Sequence, residues 1–388
     1  MSLSRRDVLL LGAAAGAAAI LPACATSTHS ASSVQPAGTT PDLIIHNARI
    51  TTLDRARPSA QALACVNGSI TAVGDNDTIL RSRGPNTTVI NAQGRRVIPG
   101  LNDTHTHTVR GGLNYALELR WDGVTSLKQG LQMLREQVAR TPPGQWVRVV
   151  GGWSYAQFEE KRLPTLDELN AIAPETPVFL LYVYTSAILN KACLKYLGID
   201  KNFPGNKYPG GTIVRDAAGE PTGLLLADPS ALILYSTLND GPKLNMEQQM
   251  LSSRHFMKEL NRLGITSSLD CGGGFQNWPD DYLVVKELHK RNQLTMRIGV
   301  STFIQRPGNE LEDFQSWTER YTPRFNGKGE GDDMFYLIGG GEMLVRSAYD
   351  FEVFNIPRVV PPPNAEADLE RVVRLLAEKR WPFRFHAT

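Results

Sequence analysis

Val97-Ile98-Pro99-Gly100-Leu101-Asn102-Asp103-Thr104-His105-Thr106-His107 is the stretch on which the reading of this chain turns. A short apolar run meets a Pro-Gly break, and two histidines follow one residue apart. Side chains alternate faces along a strand, so His105 and His107 project to the same side and can grip one metal ion. Imidazole is the commonest protein ligand for zinc and related divalent ions. A chain with 7 histidines can also place two at this spacing by chance. Their position, closing an apolar strand directly after Pro-Gly, is what favours metal binding.

The remaining composition narrows the classes. A chain of 388 residues can bury a large core and hold two domains. The net charge of +2 comes without a basic stripe, which gives no support to a nucleic-acid partner. Cys24, Cys65, Cys193 and Cys271 are widely spaced with no C-x-x-C pair, which excludes a zinc ribbon and provides no disulfide framework.

The N-terminus reads as an export signal. Ser4-Arg5-Arg6-Asp7-Val8-Leu9-Leu10 is a twin-arginine pattern, and an Ala-rich apolar run follows to Ile20. That run is too short for a comfortable membrane span. Leu21-Pro22-Ala23-Cys24 resembles a bacterial lipobox, with Cys24 as the lipidation site and simple cleavage nearby as the alternative. Residues 1–24 are thus expected to be a signal and 25–41 a flexible Ser/Thr/Ala-rich tether. The protein is expected in the periplasm or on a bacterial membrane, reached by the twin-arginine route. Its only membrane contact would be that lipid anchor.

Residues 42–96 show short alternating strands with tight turns, including a hairpin signal at Asn67-Gly68, and read as a small β-sandwich unit. Residues 97–388 read as a partial α/β barrel with an inserted subdomain at about 146–240. Leu127 to Val138 has helical spacing and stops at Thr141-Pro142-Pro143-Gly144. The insert is irregular and aromatic; Trp153 and Tyr155 either line an apolar substrate site or build the insert's own core. From Met246 the chain alternates helix and strand: a helix to Leu263 closed by Gly264, a strand to Asp270, a helix over residues 281–291, a strand over 294–303, a strand over 335–338, a helix over 365–379, and a last strand over 382–386. Such alternation predicts a parallel α/β barrel whose site lies at the C-terminal strand ends.

Those ends carry the chemistry. His105 and His107 end the first strand, Asp270 the second, Glu342 the fourth and His386 the fifth, so His105, His107 and His386 can share one metal. Glu342, in a glycine-rich turn, can add a bridging or terminal carboxylate, and Asp270 either joins them or satisfies backbone donors in its own glycine turn. His46, His255 and His289 read as structural or solvent-facing.

These residues resemble the amidohydrolase superfamily, in the family-3 branch that includes N-substituted formamide deformylase-like enzymes. The resemblance covers residues 42–388. It rests on Val97 to His107, which looks like that family's PGLIDSHTH signature. Gly151-Gly152-Trp153, Pro164-Thr165 with Leu169, Gly264-Ile265-Thr266-Ser267 and His386-Ala387 support it. It implies a (β/α)8 TIM-type barrel beside a β-sandwich, and one or two divalent metals, usually zinc. By this resemblance His105 and His107 are first-strand ligands, His386 is the fifth-strand ligand, and Glu342 stands where many relatives have a bridging lysine or acid. Many relatives also have a histidine in the stretch matching Tyr182 to Ala187, where this sequence has none.

The implied activity is metal-dependent hydrolysis of non-peptide C–N bonds in a small amide-like substrate. About five of the eight strands are expected in this chain, and the family's general base, an eighth-strand aspartate, would lie past Thr388. The other expectation is a membrane-tethered binding protein or inactive remnant. An open barrel edge further predicts aggregation, self-association, or pairing with a C-terminal fragment.

Overall fold

Two compact units divide the chain, Met1–Pro99 and Gly100–Thr388. The computed structural model describes residues 40–228, 230–272, 282–304, 306, 308–348 and 361–386. The signal, Cys24 and nearly all of the tether lie outside the described residues. Among those described, no helix is long and apolar enough to cross a membrane.

The first unit is built from β1 (Leu43–His46), β2 (Arg49–Thr51), β3 (Ser59–Ala60), β4 (Ala62–Val66), β5 (Ser69–Gly74), helix α1 (Asn76–Leu80), β6 (Thr88–Asn91) and β7 (Arg96–Val97). Four strands form a sheet in the order β5-β4-β1-β6, and three form a second in the order β3-β2-β7. The β4–β5 hairpin turns on Asn67 and Gly68, both at positive φ (49° and 76°). Asn-Gly tolerates that conformation, which matches the twist of the flanking strands. Ile44, Ala62, Ala64 and Ile79 pack one small core; Ala48, Ile50, Leu63 and Ala92 pack another.

The second unit contains β8 (Leu101–Thr106), α2 (Thr108–Asn114), β9 (Glu118–Leu119), α3 (Leu127–Arg140), β10 (Val147–Val149), α4 (Leu166–Ile172), β11 (Val178–Tyr182), β12 (Ser186–Leu189), α5 (Lys191–Leu197), β13 (Thr212–Arg215) and β14 (Pro221–Leu226). These are followed by α6 (Leu232–Asn239), α7 (Met246–Arg262), β15 (Ile265–Asp270), α8 (Leu283–Lys290), β16 (Arg297–Thr302), α9 (Glu310–Arg320), β17 (Phe335–Gly340) and α10 (Ala365–Glu378).

The Pro-Gly break separates two strands instead of interrupting one. Val97 belongs to β7 in the small sheet, and the histidine-bearing strand begins only at Leu101. Proline has no N–H for a ladder, and a Cβ on Gly100 would lie 2.0 Å from Thr266 Oγ1. The expected strand from Val97 is corrected accordingly. β8, β15, β16 and β17 form a parallel sheet in that spatial order, each strand pairing with the next. Pro382 to His386 follows β17 in parallel through a single bridge, Gly340 to Phe383, so it is less regular than the expected strand. Helices α7 and α8 pack on this sheet through Met250, Met257, Val285 and Leu288, against Ile298 and Val300. Phe314, Trp317, Val372 and Leu376 of α9 and α10 pack with Leu337 of β17.

The stretch expected to be irregular is the main difference. It contributes most of a six-stranded mixed sheet in the order β13-β14-β12-β11-β10-β9. Both faces are covered: along β11, Val178 and Leu180 pack with Trp121, Leu134 and Leu169, whereas Phe179 and Leu181 pack with Leu189, Leu194 and Leu234. A strand buried on both faces shows no polar alternation, which is why its period was not legible. Asn190 ties the layers together: its side chain accepts from Val178 N (2.9 Å) and Cys193 N (3.0 Å) and donates to the carbonyls of Ala173 and Thr176 (2.7 and 2.9 Å).

Candidate metal centre

His105 lies on β8, and His107 sits just past its end as the N-terminal cap of α2. Glu342 follows β17 after Gly341, and His386 closes the last described segment. The glycines make this meeting possible. A Cβ on Gly339, whose φ is 129°, would fall 2.0 Å from the Pro382 carbonyl, and one on Gly341 would fall 2.6 Å from Arg384 Cγ. With no Cβ in the way, Gly340 N donates to Pro382 O (2.9 Å), Arg384 N to Gly340 O (2.9 Å) and His386 N to Glu342 O (3.0 Å). Arg384 also donates to the Thr104 carbonyl, tying the last segment to the strand that carries His105. Sequence reasoning missed Arg384; its place one residue before the candidate ligand's neighbour was the only signal.

All four candidate ligands converge. Glu342 Oε2 lies 3.1 Å from His105 Nε2 and 3.2 Å from His386 Nε2, and the two Nε2 atoms are 3.2 Å apart. Glu342 Oε1 lies 3.6 Å from His107 Nε2. His105, Glu342 and His386 meet the spacing of groups that could hold a metal ion. Four ligands at zinc's bond lengths stand about 3.3 Å apart on the edges of a tetrahedron, close to the triangle seen here. Glu342 Oε2 is buried and accepts no aligned hydrogen bond, a costly state that a cation between these donors would relieve. The donor set therefore fits a divalent metal.

The surroundings prepare the ligands. His107 Nδ1 lies 2.6 Å from the Gly272 carbonyl. A carbonyl only accepts, so the ring's proton belongs on Nδ1 and the Nε2 lone pair points toward Glu342. Burial, then the nearby Arg110 charge, brings the His107 pKa down to about 4, which keeps the ring neutral at pH 7. Burial raises the Glu342 pKa, against the pull of His386 and His105.

Asp270 is fully buried and committed to backbone donors: Oδ2 accepts from Val109 N (2.6 Å) and Oδ1 from Gly272 N (2.8 Å). It fixes the start of α2 and the loop whose carbonyl orients His107. Burial pushes its carboxyl up to about 6. His289 pairs with Asp332 at 2.9 Å, His255 is exposed, and His46 ends β1.

A cavity of about 1000 Å³ reaches this centre through Thr106 and His107. Trp153 lines it and is also core, 3% exposed, with its ring 4.9 Å from that of Trp121. Tyr155 is 38% exposed, stacks on Tyr182 at 5.5 Å and is not among the lining residues. Val183 and Tyr184, from the stretch without a histidine, do line the cavity.

The chain is 31% identical over 248 residues to protein LONG AFTER FAR-RED 3 of Arabidopsis thaliana, covering 63% of this chain and 41% of that protein. It is 30% identical over 232 residues to N-substituted formamide deformylase of Arthrobacter pascens, covering 59% and 42%. The chain thus spans about two fifths of the length of these curated relatives. In structure it is similar to an uncharacterized metal-dependent hydrolase from Pyrococcus horikoshii, with TM-score 0.54 and 18% identity over 89% of this chain and 65% of that one. A counterpart from Pyrococcus furiosus gives the same TM-score and identity, over 89% and 67%. The fold is therefore of the α/β type found in metal-dependent hydrolases. With residues 88–388 matching the family's pattern, the chain belongs to the amidohydrolase family.

Proposed function

We propose that this chain carries the metal centre of a zinc-dependent hydrolase acting on non-peptide C–N bonds of small amide-like molecules. In this reading β8, β15, β16, β17 and the Pro382–His386 segment are consecutive strands of a (β/α)8 barrel. The observation that carries it is the triangle of His105 Nε2, His386 Nε2 and Glu342 Oε2, with edges of 3.1 to 3.2 Å around a buried, unsatisfied carboxylate oxygen.

His105, His386 and Glu342 would hold the ion, with His107 offering its Nε2 lone pair from the other carboxylate oxygen's side. A divalent ion there supplies a Lewis acid for the amide carbonyl and makes water a nucleophile near neutral pH. The chain's own residues do the rest of the positioning. The Gly272 carbonyl holds His107 in the required tautomer, and Asp270 holds that loop. In the overall reaction water oxygen joins the acyl carbon, the C–N bond breaks, and a proton goes to the departing amine.

The test is zinc content of the purified chain and of its H105A/H107A variant, together with hydrolysis of a panel of N-substituted formamides and acetamides by both. Zinc held by the parent and lost in the variant, with any amine release lost along with it, supports the reading. Equal zinc content in both contradicts it.

A further inference from the structure

The walls of the cavity beside His107 are unevenly charged. Arg110, Arg120, Arg148 and Lys243 line it, against one carboxylate, Glu118. Four positive groups and one negative leave an excess of three charges. Glu118 is already engaged, pairing with Arg120 at 2.6 Å. Arg148 is 5% exposed; it donates to the Pro242 carbonyl, and its Nε has no partner. A guanidinium so enclosed is costly unless an anion offsets it, and Glu118, which it shares with Arg120, is the one carboxylate whose charge acts on it.

Arg110 matters most. It lies on the first turn of α2, three residues past His107, with its guanidinium 5.6 Å from the centre of the Tyr235 ring. It makes no ion pair among the described residues. It lines the cavity together with His107, and its charge bears on His107, Asp270, Glu342 and Glu118. Leu113, Val150, Tyr184, Tyr235 and Phe256 supply apolar wall beside these cations.

We infer that the cavity selects amides bearing a carboxylate, with Arg110 as the residue that receives it and the apolar wall receiving the body of the molecule. A guanidinium presents a planar fork of donors that matches a carboxylate. The inference rests on the proposed function only for which bond is cut; anion selection stands on the cavity itself.

The test is calorimetric binding to the full chain, freed of metal by chelation and again with zinc added. The probes are 4-(acetamidomethyl)benzoate and its neutral parent N-benzylacetamide, with 4-(acetamidomethyl)phenyl phosphate as a third. The metal-free chain should bind the carboxylate at least about tenfold more tightly than the neutral amide, the worth of one charged hydrogen bond. In R110Q that preference should fall about tenfold, and R110K should keep part of it. Cooperative melting of each variant checks that it folds. Equal affinity for the carboxylate and neutral probes overturns the inference, as does no measurable binding of the carboxylate to the parent chain. So does an undiminished preference in folded R110Q, or tighter binding of the phosphate than of the carboxylate. Zinc content, measured on the same samples, reports separately on the metal centre.

Discussion

Replacing Gly339 with alanine tests whether backbone proximity assembles the site. At φ 129° the new side chain sits in a conformation costing about 1–3 kcal/mol. Its Cβ would also stand 2.0 Å from the Pro382 carbonyl, so the segment up to His386 must move away. That movement breaks the bonds from Gly340 N, Arg384 N and His386 N. Each is worth about 1 kcal/mol net, and partial re-solvation brings the whole loss to about 4 kcal/mol. The unfolding entropy of a unit spanning Gly100–Thr388 is roughly 0.6 kcal/mol/K, which gives a fall in Tm of about 7 °C. Displacing His386 should also weaken zinc binding. Calorimetric melting and zinc titration measure the two effects. The control is G144A, at φ 82° with no atom near the added Cβ, which should show only the conformational cost, about 2 °C. If G339A loses no more than G144A and keeps its zinc affinity, close packing of the two segments does not build the centre.

Three other outcomes follow from the structure. N190A should lose about 3 kcal/mol in urea unfolding, because it strands two buried N–H groups and two carbonyls; a loss below about 1 kcal/mol would contradict that accounting. Glu168 pairs with Arg162 and closes a capping box with Thr165, which in that order hold its carboxyl down to about 2. A lowered carboxylate pKa stabilises the fold above the unfolded value near 4.5 and ceases to do so as pH falls toward 2. E168Q should therefore cost about 1 kcal/mol at pH 7, discounted for its partial exposure, and almost nothing near pH 2; an equal cost at both pH values would refute this. R384Q, by cutting the tie to the Thr104 carbonyl, should weaken zinc binding about tenfold while secondary structure by circular dichroism is kept.

Much of the frame was readable because local chemistry and global fold agree there. Asn67-Gly68 does turn a hairpin, and Gly264 does end the helix begun at Met246. The alternation of helix and strand after Met246 gives the parallel order β8, β15, β16, β17. Where the reading failed, tertiary burial had erased the signal. β9 and β10 are 2 and 3 residues long, β11 is apolar throughout and β12 is apolar after Ser186, so neither length nor period marked a sheet. Helix α9 was there to be found, since Leu311, Phe314 and Trp317 recur every third residue after Asn309. At the site, strand counting named His105, His107, Glu342 and His386. It could not reveal that Gly272 orients His107, or that arginines crowd the adjoining cavity, because both depend on residues far apart in the chain.

Whether His105, Glu342 and His386 share one divalent ion is decided by zinc titration of the purified chain, read by calorimetry and by elemental analysis after dialysis. The parent should retain at least one zinc per chain. In the E342A/H386A variant affinity should fall more than about 100-fold, beyond what loss of a mere supporting contact costs. The same zinc content and affinity in parent and variant would contradict it.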